Sequence, residues 1–450
     1  MSFMEVVEIL NDKLWNYILV YLLLFTGLYY SIRLRFPQIR QLKRINQHVF
    51  GNVFKRGEKA GEDGMSSFQA LATAIAAQVG TGNLAGVATA IASGGPGAVF
   101  WMWISAFLGM GTIFSEAVLA QKYATRVDGE VTGGPAYYLR KGVNSKFLAA
   151  FFAVSIIIAL GFVGNMVQSN SIAVALNSAF NVPNWVGGVF VAICAALIFV
   201  GGMGRIASFT ELIVPFMAVL YIGGSLVIVV LNYTQILPAL KTIFVSAFTA
   251  QAVVGGAIGV TVKEAMKYGI SRGLFSNEAG MGSTPHAHAV AKVDHPAEQG
   301  LVAIFGVIFD TIIICTITAL INIMTGAHET GLTGIEMTQT AFNIGLGNFG
   351  TKFIAVSLFF FAFSTIIGWY YFGESNIKYL FGKKGINIYR IIVLAFIVLG
   401  SVLKVDAVWD IADLFNGIMV LPNIVGLLIL SPQAIAMLRD YENNFLRNRE

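Results

Sequence analysis

The run Ala76-Ala77-Gln78-Val79-Gly80-Thr81-Gly82-Asn83 lies inside an apolar stretch, residues 69–93, long enough to cross a bilayer. Glycine weakens a helix and admits non-helical backbone. Gly80 and Gly82 therefore mark a helix broken near its middle. Backbone that leaves a helix at membrane depth must be buried in protein or line a cavity. Its freed carbonyls suit a cation, and the amides that open the second half-helix suit an anion. A second run, Val254-Gly255-Gly256-Ala257-Ile258-Gly259, interrupts another apolar stretch, 242–267. With 48 Gly in the chain, one Gly pair alone reads as close helix packing. Two runs in matching positions point to a binding site.

The rest of the chain fits a lipid solvent. Of its 450 residues, 56% are hydrophobic and 12% charged, against about 25% charged in soluble domains. Disorder is excluded by the apolar content. No Asp, Glu, Lys or Arg occurs in 65–115 or 147–204, each room for two membrane helices. The sequence reads as about eleven spans: 14–32, 69–93, 97–120, 147–177, 184–203, 208–231, 242–267, 300–325, 352–377, 388–404 and 412–438. Turn chemistry separates them at Gly94-Gly95-Pro96-Gly97 and Asn181-Val182-Pro183-Asn184. The acidic start (Glu5, Glu8, Asp12) and the long run after it argue against a cleaved signal.

On this count, helix flanks included, all but four of the 29 Lys and Arg fall in alternate gaps or the tail, with Lys263, Lys267, Arg272 and Lys292 grouped at the seventh gap; the exceptions are Lys13, Lys241, Lys352 and Lys404. The positive-inside rule then expects an outside N-terminus and a cytoplasmic C-terminus in the plasma membrane. The net charge of +5 reports orientation, with no call for a nucleic-acid partner. The basic first gap also reads as an anionic-lipid patch. With the first span set aside, ten spans divide five and five, and each broken helix opens its half. An odd number per half inverts the second, the pattern of an inverted-repeat transporter. The expected organisation is an extra helix and basic loop (1–68), a first repeat (69–240), an inverted second repeat (241–438) and a tail (439–450).

Gly94-Gly95-Pro96-Gly97-Ala98-Val99-Phe100-Trp101-Met102-Trp103 resembles the signature of the alanine/glycine:cation symporter family. So does Tyr268-Gly269-Ile270-Ser271-Arg272-Gly273-Leu274-Phe275-Ser276-Asn277-Glu278-Ala279-Gly280-Met281-Gly282-Ser283. Gly164-Asn165-Met166-Val167-Gln168-Ser169-Asn170 and Gly368-Trp369-Tyr370 are similar to further family segments. The resemblance covers nearly the whole chain. It implies an all-α LeuT-type five-plus-five fold with one extra N-terminal helix, and Na⁺-coupled uptake of alanine or glycine.

Candidate substrate residues are Gln78, Thr81, Gly82, Asn165, Gln168, Gly255, Gly256 and Trp369. The amides of Thr81, Gly82 and Asn83 open the second half-helix and suit a carboxylate. Asn165 and Gln168 share a helix face and need partners at membrane depth. Gln78 departs from the family pattern and leaves the substrate range open. The resemblance implies that Trp369 caps the pocket. It also implies a cation held by the hydroxyls of Ser364 and Thr365 against the carbonyls of Ala76 and Val79, with Asn83 offering its side-chain oxygen. Without the resemblance, Ser364 and Thr365 bonding their own helix is the simpler reading. Packing or interhelical hydrogen bonding is the simpler one for Asn83, Asn165, Gln168 and Trp369.

Asp310 is the only charge in 301–327, an intramembrane carboxylate and so a candidate for coupling. Glu116 and Glu374 lie near span ends, where pairing with Arg or Lys is expected. The Gly-, Ser- and Asn-rich stretch 271–283 reads as a loop forming part of an inner gate. His286 and His288 fall in the same loop, with no third metal ligand evident.

Other function classes fit less well. Gly80-Thr81-Gly82-Asn83-Leu84-Ala85 matches G-x-G-x-x-A, but an apolar helix precedes it and no acid follows before Glu116. The chain has no H-E-x-x-H and no phosphate loop, which argues against a zinc-dependent enzyme or an ATP-driven pump. Cys194 and Cys315, both in apolar runs, give no disulfide framework. A channel would need a symmetric filter or charged ring. The expectation is a monomeric secondary transporter without cofactor that carries Na⁺ and a small neutral amino acid, with proton coupling as the alternative.

Overall fold

The computed structural model describes residues 3–53, 60, 61, 63–249 and 261–447. It is a helical membrane bundle. The principal helices are α1 (Phe3–Arg33), α2 (Ser67–Gln78), α3 (Val87–Gly94), α4 (Ala98–Lys122), α5 (Lys146–Phe180), α6 (Asn184–Phe199) and α7 (Gly202–Leu231). There follow α8 (Val262–Asn277), α9 (Pro285–Ala289), α10 (Pro296–Met324), α11 (Asn348–Phe381), α12 (Ile386–Val402) and α13 (Val405–Asp440). Among the described residues seven helical stretches are long and apolar enough to span, or eight if the bent pair α2–α3 is one span. One of those stretches contains both α11 and α12, and α6 is a shorter apolar helix.

Local chemistry sets the ends. Ser66 and Gln69 form a reciprocal capping box that starts α2. Asn181, left-handed at φ 56°, closes α5, and Pro183 precedes α6. Thr261 and Glu264 form a second capping box at the start of α8. The two halves follow one plan: a broken helix (α2–α3, then α8–α9) and four further helices. A short helix follows the second span of each half, Pro135–Lys141 in the first and Gly334–Leu346 in the second. α4 packs between α8 and α10, and α11 lies against α2 and α5. The chain therefore has the LeuT-type fold with one extra N-terminal helix.

The seventh span departs from expectation. A short helix, Ile236–Ser246, ends inside 242–267, and α8 begins only at Val262. The interrupted run 254–259, with candidates Gly255 and Gly256, lies outside the described residues. The expected loop 271–283 is helical through Asn277.

This shift moves charges across the membrane. The strand β1 (Met65–Ser66) pairs in parallel with β4 (Ala291–Lys292), and β2 (Thr125–Val127) forms a hairpin with β3 (Glu130–Thr132). Gln121 donates to the carbonyls of His288 (2.5 Å) and Ala291 (2.9 Å). These elements share one face of the bundle. The start of α8 lies at the other, where Ala265 and Tyr268 pack on Gly94. There Lys267 pairs with Asp12 at 3.8 Å and Lys263 sits over the Tyr17 ring at 5.3 Å. Lys263, Lys267 and Arg272 thus belong opposite Lys292, where the span count had grouped all four together. The error came from the charges of α8, which depress its hydropathy and slid the apparent span toward the N-terminus.

Candidate functional site

The first break has a definite geometry. After Gln78, Val79 turns extended (φ −84°, ψ 91°). The chain regains helix through a wide turn at Gly82–Gly86, and the two half-helices meet at 49°. A Cβ on Gly80 would stand 2.3 Å from the Thr365 hydroxyl and 3.0 Å from Gln168 Oε1. Only glycine lets α5 and α11 close on the backbone here. Asn83 Oδ1 accepts the Gly80 N–H at 2.8 Å, and Gln168 Oε1 accepts the Thr81 N–H at 3.0 Å.

A second break faces the first. α8 ends at Asn277, and Glu278 adopts the left-handed conformation (φ 59°). Gly280 (φ 93°) and Gly282 (φ 81°) continue the turn in backbone that glycine tolerates best. α9 then resumes. The end of α8 touches the first break: a Cβ on Gly82 would meet Ser276 at 3.2 Å and Phe275 at 3.3 Å. Gln78 Nε2 donates to the Asn277 carbonyl at 2.6 Å. The discontinuity opposing Gly80 is therefore 278–284. Its sequence signals were the Thr261-x-x-Glu264 capping box and the Glu278-x-Gly280-x-Gly282 spacing.

Together the breaks gather a buried polar cluster. Gln78, Thr81, Gly82, Asn83, Gln168 and Trp369 are all buried. Three side-chain atoms there, Gln78 Oε1, Thr81 Oγ1 and Gln168 Nε2, have no hydrogen-bond partner. Such atoms cost about 1–3 kcal/mol each when left unmatched. Trp369 and Phe275 meet edge-to-face at 5.7 Å. A Cβ on Gly164 would lie 2.7 Å from the Trp369 ring, so Gly164 gives the indole its place. Asn165 is turned to its own helix and donates to Gly161 O at 2.9 Å.

Beside the polar cluster the Thr365 hydroxyl donates to the carbonyls of Ala76 (2.9 Å) and Val79 (3.3 Å). The Ser364 hydroxyl reaches Ala76 O at 3.3 Å. Both also contact Phe361 O in their own helix, at 2.8 Å from Ser364 and 3.1 Å from Thr365. Two hydroxyls and two carbonyls freed by the break thus form a hard-oxygen cluster, the donor type that suits a hard cation.

Three buried carboxylates line the two breaks, and among the described residues none has a cationic partner. Burying a charge requires dense hydrogen bonding. Asp310 accepts from Asn83 Nδ2 (2.6 Å), Ser276 (2.9 Å) and Thr311 (2.7 Å). Glu278 accepts the Trp369 indole N–H at 2.5 Å and the Ser283 hydroxyl. Glu116 accepts the N–H groups of Gly280 (3.0 Å) and Gly282 (2.9 Å) and the Asn423 amide (2.6 Å). The expected pairing of Glu116 with Arg or Lys is therefore wrong: backbone donors of the second break take that place. Glu374 does pair with Lys378, at 3.1 Å. His286 and His288 are buried in α9, bonded to Ser283 O (2.7 Å) and Gln299 (2.7 Å) respectively. No metal-binding group of three His, Cys, Asp or Glu occurs among the described residues.

On one side the cluster is covered by Phe275 against Trp409 (5.0 Å), with Arg272 stacked over Trp409 (4.9 Å). Arg272 makes a bidentate bond to Asp413, both distances 2.7 Å. On the other side lie the turn 278–284 and Glu116. Phe275, Ser276, Glu278 and the Arg272–Asp413 pair were not among the sequence candidates.

Paired broken helices meeting at a buried polar cluster define the LeuT-type fold. The fold is shared with MhsT, solved in complex with L-phenylalanine (TM-score 0.56, 14% identity, 85% of this chain and 99% of that one). A model of the sodium:alanine symporter family matches residues 1–450, and the chain belongs to that family. It is 44% identical over 459 residues to the sodium/alanine symporter AgcS of Methanococcus maripaludis (100% of this chain, 99% of the relative). It is equally 44% identical over 440 residues to the probable sodium/glutamine symporter GlnT of Bacillus subtilis (97% and 90%).

Proposed function

We propose that the chain is a Na⁺-coupled symporter of a small neutral amino acid, with alanine the first substrate and glycine the next. The observation that carries the reading is the buried polar cluster at the first break. There the Thr81 hydroxyl, Gln168 Nε2 and Gln78 Oε1 are buried without partners, beside an oxygen cluster of Ala76, Val79, Ser364 and Thr365. The substrate carboxylate meets the half-helix amide of Gly82, the Thr81 hydroxyl and Gln168 Nε2, while Gln168 Oε1 keeps the Thr81 N–H. Trp369 and Phe275 limit side-chain length. Na⁺ takes the hydroxyls and carbonyls, and its charge favours the carboxylate beside it. Binding of either solute strengthens binding of the other by linkage. Asn83 acts by ordering the break, since its oxygen is already engaged by Gly80. The protein works as a monomer in the plasma membrane, N-terminus outside, and carries both solutes inward.

Proton coupling is a second reading, favoured by three buried carboxylates, Asp310, Glu278 and Glu116, around the breaks. The test is uptake of labelled alanine into proteoliposomes under separately imposed Na⁺ and H⁺ gradients. Accumulation driven by Na⁺ alone supports symport with sodium; accumulation that follows only the proton gradient replaces it with the second reading. Glutamine as competitor separates this chain's substrate from that named for one relative.

A further inference from the structure

The arginines at the end of α1 and near the end of α13 take no part in the polar cluster. Arg33, Arg35, Arg40 and Arg439 line one surface groove, and Arg33 and Arg439 also line its neighbour. Arg40 is paired with Glu442 at 2.7 Å. Arg33, Arg35 and Arg439 are exposed and have no carboxylate partner among the described residues. Glu442 and Asp440 also line these grooves, the first held by Arg40 and the second by His295, and the four arginines outnumber them, so the grooves keep a net positive charge that an anion would balance.

The backbone holds them there. Arg35 and Phe36 are consecutive left-handed residues, φ 59° and 52°. Each such non-glycine residue costs on the order of 1–3 kcal/mol. Arg40 fixes the turn by donating to the carbonyls of Leu34 and Arg35, both at 3.3 Å.

Apolar stripes lead to the groove. On α1, Phe25, Leu28 and Ile32 are 59%, 46% and 54% exposed, spaced to share one face and ending beside Arg33. On α13, Val425 and Ile429 are 44% and 54% exposed, and the stripe runs on through Pro432 and Ala436 toward Arg439. The two helices are joined by Tyr29–Ser431 (2.9 Å) and Tyr30–Leu427 (2.5 Å). Beyond the turn, the helix Leu42–Val53 exposes Leu42 and Phe50 beside Lys43, the composition of a segment lying in the membrane interface.

We propose that this groove is a binding site for an anionic phospholipid. Its headgroup phosphate sits among Arg33, Arg35 and Arg439, and its acyl chains lie along the stripes of α1 and α13. Arginine suits the phosphate because its planar fork donates two parallel hydrogen bonds. Paired apolar stripes that end at the arginines favour a lipid over a free anion.

Native mass spectrometry of the detergent-purified full chain tests this, with phosphatidylglycerol and phosphatidylcholine of matched acyl chains as probes. Phosphatidylglycerol should be retained at least fivefold better than phosphatidylcholine. The combined Arg33→Gln, Arg35→Gln and Arg439→Gln variant should lose that preference, and Arg439→Gln alone should lose part of it. Lys383→Gln, elsewhere on the same face, should keep it. Equal retention of the two lipids, or an unchanged preference in a monodisperse triple variant, would overturn the proposal. Displacement of phosphatidylglycerol by millimolar inorganic phosphate would assign the arginines to a free anion and overturn it equally. The readout is binding, so it stands apart from whether the transport reading holds.

Discussion

Truncation of Gln168 to alanine removes two things at once. Its Oε1 accepts the Thr81 N–H at 3.0 Å, and its Nε2 is a buried donor without a partner. In the unloaded protein the loss orphans one buried amide, a cost of about 1–3 kcal/mol in stability. In the loaded protein it also removes a hydrogen bond to a carboxylate, worth about 1.5–3 kcal/mol. Each 1.4 kcal/mol is a factor of ten. The half-saturating alanine concentration should therefore rise about 10- to 150-fold, with membrane yield close to normal. The assay is concentration-dependent alanine uptake by reconstituted protein, with a thermal melt in detergent run in parallel. A lowered melting temperature with unchanged half-saturation would mean that Gln168 only braces the break, and the substrate contact would be refuted. Alanine added to the melt separates the effects further: it should stabilise the parent protein and fail to stabilise Gln168→Ala at the same concentration.

Removing both hydroxyls with Ser364→Ala and Thr365→Ala should raise the half-saturating Na⁺ concentration tenfold or more while alanine remains a substrate at high Na⁺. An unshifted Na⁺ dependence would take these residues out of the cation site. Glu278→Ala removes the acceptor of the Trp369 indole N–H, so competition by larger neutral amino acids such as glutamine should improve relative to alanine. An unchanged ranking would show that Trp369 is held by packing alone. Arg272→Gln breaks the bidentate contact with Asp413. A cysteine introduced at Phe275 in that background should then react with a membrane-impermeant thiol reagent faster than in the parent, and an equal rate would deny the pair a gating role.

The sequence announced most helices because long uncharged runs and glycine–proline turns are local signals. The break at Gly80 was legible for the same reason: two glycines one residue apart in an apolar run have few other uses. The meeting of Ser364 and Thr365 with Ala76 and Val79 follows from a family register, since nothing in the residues alone brings α11 to α2. The second break was misplaced because Lys263, Glu264, Lys267 and Arg272 make α8 look like a loop. Their charges are tolerated because they are satisfied locally: Lys267 by Asp12, Arg272 by Asp413 and Glu264 by its capping box. Asp310 stood out as a lone intramembrane charge, but its partner Asn83 is 227 positions away in the chain, a pairing that only tertiary structure reveals. Glu116 was misjudged because proximity to a span end suggests a basic partner, whereas the turn at Gly280 and Gly282 supplies backbone donors.

The central claim is that the broken helix at Gly80 couples a sodium ion to a small amino acid. The most direct measurement is the initial rate of labelled alanine uptake into proteoliposomes, with an inward Na⁺ gradient and the proton gradient collapsed by an ionophore. The account predicts accumulation above equilibrium that vanishes when Na⁺ is replaced by K⁺. Uptake indifferent to Na⁺ and restored by an imposed proton gradient would contradict it.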